Sequence, residues 1–86
     1  MNPVVWLEST LDALADVWVT VTPDERDRIA AAVDRINATL ARDSGAGESR
    51  DESTRVLHVF PVTVRFRVEP DGAVVVTQVH FVRRRR

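Results

Sequence analysis

The 86-residue chain contains no cysteine, no tyrosine and no lysine. Without cysteine, a disulfide framework, a thiolate metal site and a cysteine nucleophile are all excluded. Three glycines, none in a phosphate-cradling spacing, rule out a glycine-rich phosphate loop. The longest apolar runs are only a few residues, too short to span a bilayer. The first residues show no basic stretch followed by an apolar one, so no signal peptide is expected and the expected location is cytoplasmic. The two histidines have no metal-ligand spacing with each other or with acids, so neither a metal nor a cofactor is expected. What remains is one domain, residues 1–86, near the size at which a single core begins to suffice unaided.

The absence of lysine makes all 12 cationic side chains arginine. Arginine is the better planar, bidentate partner for phosphate and carboxylate, although the base composition of a genome produces the same bias. The net charge of −1 conceals a division. Residues 1–54 hold 11 acids and 5 arginines, and residues 55–86 hold 2 acids and 7 arginines. An acidic first part joined to a basic last part suggests a domain that binds something anionic.

Local signals give the order β-α-α-β-β-β. Pro3 to Glu8 is a short apolar run fit for a strand at the edge or centre of a sheet. Ser9 and Asp12 read as a capping box opening a helix over 10–20, with Leu11, Leu14, Ala15, Trp18 and Val21 at helical spacing. Thr22-Pro-Asp-Glu25 is the clearest signal: a cap, proline at the first helical position, and a carboxylate that reaches back to the cap. The second helix is expected from Pro23 to about Arg42, burying Ile29, Val33, Ile36 and Leu40, with Asp24 and Arg28 as an i,i+4 pair. Both tryptophans are expected in the core.

Asp43 to Thr54 lacks periodicity and reads as a surface loop. Three strands follow: Arg55–Phe60, broken by Pro61; Val62–Glu69, alternating; and Ala73 to about Arg83, after a Pro70-Asp71-Gly72 turn. The expected fold is α+β, a helical hairpin packed on one face of a small twisted antiparallel sheet.

On the alternating strand, Thr63, Arg65, Arg67 and Glu69 share the face opposite the apolar stripe. Arg65 and Arg67 repel each other there, so an anionic partner stabilises both; the alternative is a solvated face with the arginines paired to Glu69 or to loop acids. Arg83 to Arg86 form a basic tail that either extends this surface or trails free, and any nucleic-acid attraction it has is to phosphate. His80 and His58 are the groups available for proton transfer near neutral pH. His80 is the stronger candidate, with a structural, half-buried place as the alternative.

The helix Leu11-Asp-Ala-Leu-Ala-Asp-Val-Trp18, the loop Gly47-Glu-Ser-Arg50, Arg55 opening a strand, and Val64-Arg-Phe-Arg-Val68 followed by an acidic turn and Val74-Val-Val come in a telling order. Over roughly residues 4–84 that order resembles the RelE/ParE superfamily of toxins from bacterial type II toxin–antitoxin modules. The resemblance implies a toxin held by a cognate antitoxin that covers its basic face. RelE-like members are endoribonucleases that cut mRNA in the ribosome, gripping phosphates and activating the ribose 2′-hydroxyl. ParE-like members do no chemistry and poison DNA gyrase, and a homologue without activity would persist as a protein-binding module.

Carried across, the resemblance makes His80, Arg65 and Arg83 the catalytic set and Arg55, Arg67 and Arg84 the substrate-binding set. The sequence departs from the nuclease pattern at two points. Thr63 stands where the middle-strand arginine is expected, and the tyrosine near the C-terminus is absent.

Overall fold

The structure is a computed structural model describing residues 1–82. Its elements are β1 (Val4–Trp6), α1 (Glu8–Trp18), α2 (Pro23–Arg42), β2 (Glu48–Ser49), β3 (Thr54–Val59), β4 (Val62–Val68) and β5 (Val74–Phe81). The strands form one sheet in the order β1-β5-β4-β3-β2. The β3–β4 and β4–β5 pairs are antiparallel hairpins, and β2 adds an antiparallel edge. β1 joins β5 in parallel, opposite Val74 to Val76, which makes the sheet mostly rather than wholly antiparallel.

Both helices lie on the same side of this sheet. Valines and phenylalanine suit a pleated, half-buried surface, and Val62, Val64, Phe66, Val74 and Val76 meet Ile29, Ala32, Ile36 and Leu40 of α2 in one buried cluster. Leu14, Val17 and Val21 from α1 and its exit, with Trp6, pack at its margin. The Trp6 indole donates to Asn37 Oδ1 at 2.8 Å, tying β1 to α2.

α2 begins where the sequence says it should. Glu25 N–H donates to Thr22 Oγ1 at 3.2 Å, and Thr22 N–H donates back to Glu25 Oε1 at 3.1 Å, completing the capping box. α1 differs from expectation. Ser9 lies inside the helix, and Leu7 holds the cap position with no side-chain cap bond. Leu7 N–H donates to the Val76 carbonyl while its own carbonyl accepts from Thr10 and Leu11, so the sheet ladder sets the start of the helix.

The helical stripe is also rotated. Thr10 is buried, and Leu11, Ala15 and Trp18 are exposed. Trp18 is therefore not a core residue, because the face of α1 that meets β5 is the one carrying Thr10, Leu14 and Val17. Residues 43–54 hold a short strand, β2, in addition to loop. Arg55 draws this segment onto the sheet edge, its guanidinium donating to the carbonyls of Gly45, Ala46 and Gly47. Gly47 has φ +81° and lies so close to β3 that an added Cβ would collide with the Val56 carbonyl.

Candidate functional site

The helices leave the other face of the sheet open, and strand register fixes which side chains share it. Cross-strand partners lie on one face with Cβ atoms about 5 Å apart. His58 pairs with Thr63, and Thr63 pairs with His80, giving a continuous row across three strands. The next row is Val56, Arg65 and Gln78, and the one after is Thr54, Arg67 and Val75. Val75 is in turn opposite Val5 of the edge strand. His58, Arg65, Arg67, Gln78 and His80 are all exposed.

The rows are held in place by local bonds. His58 Nδ1 lies 2.8 Å from Thr63 Oγ1. The roles in that bond depend on the tautomer: either the hydroxyl donates to a bare Nδ1, or Nδ1–H donates and leaves Nε2 outward. His58 and His80 flank the hydroxyl two strands apart, roughly 10 Å by strand spacing, so both rings can reach one group lying over Thr63.

Between the first two rows and the third, the ladder is irregular. Arg65 is opposite Gln78 and Phe66 is opposite Val76, which leaves Thr77 as the extra residue of a β-bulge. The Thr77 hydroxyl donates to the Arg65 carbonyl at 3.2 Å. The bulge keeps Phe66 and Val76 in the core while Arg65, Gln78 and His80 stay on the open face.

Of the residues expected to act, Arg65, Arg67 and His80 come together on this face. Arg67 is engaged by Glu69, Nε to Oε1 3.1 Å, the only ion pair among the described residues. The expected Asp24–Arg28 pair does not form. Arg65 has no acidic partner among the described residues, which leaves its guanidinium available to an anion. Arg55 lies on the helix side of the sheet and is occupied by the three loop carbonyls. Arg83 and Arg84 lie outside the described residues.

The residue that sequence reasoning undervalued is His58. Its parity on a short strand is visible in the sequence, but its position beside Thr63 and in line with His80 follows only from the two hairpin registers. Chemically the row can supply an acid and a base on either side of a polar hydroxyl, next to an anion-binding guanidinium. Among the described residues no group of histidines and acids has the arrangement of a metal site.

A second exposed feature lies on α1. Leu7, Leu11, Trp18 and Val19 are all exposed large apolar residues. With Ala15 they form a strip bordered by Glu8, Asp12 and Asp16, and the helix carries no cation. No helix among the described residues is long and apolar enough to cross a membrane. Neither a protein-family model nor a curated protein sequence matches this chain.

Proposed function

We propose that the protein is the toxin of a type II toxin–antitoxin pair, of RelE/ParE type, acting as an endoribonuclease on ribosome-bound mRNA. The observation that carries this reading is the His58–Thr63–His80 row beside Arg65 on an open sheet face. One histidine takes the proton of the ribose 2′-hydroxyl as that oxygen attacks the neighbouring phosphate. The other donates a proton to the departing 5′-oxygen, leaving a 2′,3′-cyclic phosphate, and Arg65 stabilises the charge developing on phosphorus. His58 supplies the second proton-transfer group that the absent tyrosine would otherwise provide. Arg67, Arg83 and Arg84 add to substrate binding in this reading.

The strip on α1 supports the expected antitoxin contact, since a monomer rarely exposes several large apolar side chains in one patch without a partner. It equally favours a second reading, in which the chain is a non-enzymatic binder of ParE type that acts on gyrase. Induction of the chain in a bacterial host, with incorporation of labelled amino acid followed over minutes, separates the two. Prompt collapse of translation, abolished by a folded Arg65→Ala, His80→Ala variant, is the expected outcome. Normal translation with slowed division would transfer the assignment to gyrase, and full toxicity of the variant would refute the proposed site.

A further inference from the structure

The outward face of α1 is held in one orientation from both ends. On the sheet side, the Thr10 hydroxyl donates to the Val76 carbonyl at 3.4 Å, and Leu7 N–H donates to the same carbonyl at 3.1 Å. At the far end, Arg26 Nε donates to the Trp18 carbonyl at 2.7 Å. Between these anchors Leu11, Ala15 and Trp18 are exposed and Leu14 is half-buried. Spaced i, i+3, i+4 and i+7, these four outline the diamond into which a side chain of a facing helix inserts. Ala15 is the smallest of them and leaves room at its centre.

The charge beside the diamond decides what fits it. Glu8, Asp12 and Asp16, also spaced by four, form a second ridge next to the apolar one. All three are exposed, and none is in the single ion pair found among the described residues. The helix carries no cation of its own, and Arg26 already donates to the Trp18 carbonyl. A second copy docked on the same strip would bring its own acid ridge against this one, and like charges across a helix pair destabilise it. An acidic segment of the kind that suits Arg65 meets the same repulsion.

We propose that α1 is the docking face for a basic amphipathic helix of a different protein. Its apolar side chains enter the diamond, and its arginines or lysines lie along Glu8, Asp12 and Asp16. The 11 residues of α1 rise about 16 Å, so the contact takes about three turns of the partner. Flanking charges of opposite sign are what selects one partner over another in helix pairs. The inference rests on the reading of this strip as a protein contact, not on RNA cleavage, and it names the partner's chemistry. An antitoxin covering both faces would need an acidic segment for the sheet and a basic helix for α1.

The test uses two synthetic three-heptad peptides with leucine at a and d, one with lysine and the other with glutamate at e and g. Calorimetry measures binding, and shifts of the α1 amide resonances locate it. The lysine peptide should bind the unaltered protein about tenfold more tightly than the glutamate peptide, by a margin that narrows with salt. Asp12→Lys with Asp16→Lys should reverse that preference. Ala15→Leu adds apolar surface but fills the diamond, so it should weaken the lysine peptide about tenfold; a patch without shape would bind it equally well or better. All three positions are exposed, and circular dichroism checks that the variants are folded.

Equal affinity for the two peptides, with shifts in α1, would leave the strip a protein contact and overturn the basic partner. No shift in α1 with either peptide would overturn both. A dimer in sedimentation that Leu11→Ser dissolves would assign the strip to a second copy and overturn the proposal as well.

Discussion

Thr63 shows how one residue can change the meaning of a surface. In the sequence alone it stands where the resemblance to the nucleases leads one to expect an arginine. In the sheet it is the hydroxyl between two histidines, bonded to one of them at 2.8 Å. If the row works as proposed, His58→Ala and His80→Ala should each lower RNA cleavage by about 100-fold or more, the usual cost of removing a general acid or base. Each should also flatten one limb of the pH–rate profile. Thr63→Val removes the bond while keeping the shape, so its effect should be smaller. Activity undiminished from that of the unaltered protein in both histidine variants would show that neither transfers a proton.

Asp51 is a second residue whose role is local and testable. The backbone N–H groups of Ser53 and Thr54 donate to its Oδ1, both at 2.9 Å. Those bonds, that from Ser53 first, hold its carboxyl below its ordinary value of 3.8. A group with a lowered folded-state pKa contributes stability above its unfolded value and loses it as pH falls through the folded one. The Asp51 carboxyl resonance should therefore titrate below that of a model peptide, with the Ser53 and Thr54 amides losing exchange protection over the same acid range. Titration at the ordinary value would show that the turn is open in solution.

At the scale of the element, the two helices were unequally legible. α2 could be read because its signals are local: a capping box, a proline at N1 and an apolar stripe whose buried members are Ile29, Ala32, Ile36 and Leu40. α1 could not, because half of its circumference is apolar and periodicity does not say which half faces the sheet. The sheet decides, through the Leu7–Val76 ladder bond and the buried Thr10 hydroxyl, which donates to the Val76 carbonyl at 3.4 Å. That leaves Leu11 48% and Val19 73% exposed. Leu11→Ser with Val19→Ser should thus change the free energy of unfolding by no more than ~0.5 kcal/mol per site, as for ordinary surface positions. If the strip is the proposed antitoxin contact, the same pair should weaken antitoxin binding at least tenfold by calorimetry. A large loss of stability would place this strip in the core, and unchanged binding would free α1 from the interface.

At the scale of the whole molecule, what the sequence concealed is long-range. The antiparallel hairpins follow from their turns, but nothing local says that β1 lies parallel to β5 or that residues 48–49 close the far edge. The β1–β5 contact spans most of the chain, whereas β2 meets β3 only six to eight residues away, and the His58–His80 alignment depends on the two hairpin registers. β1 also carries the bond from Trp6 to Asn37, which spans 31 residues and joins the sheet's edge to the middle of α2. If the domain unfolds as one unit, as small domains generally do, damage at that point must be felt everywhere.

Trp6→Phe retains most of the apolar packing and leaves Asn37 Oδ1 without its donor, a change that should cost ~1–3 kcal/mol. The urea midpoint should fall by the same amount whether followed by the circular dichroism of the helices or by the amide resonances of Val4 and Val5 in β1. A change confined to one probe would mean that the edge strand and the helices unfold separately. The open face, whose outermost strand on that side is β1, would then be held by the two hairpins alone.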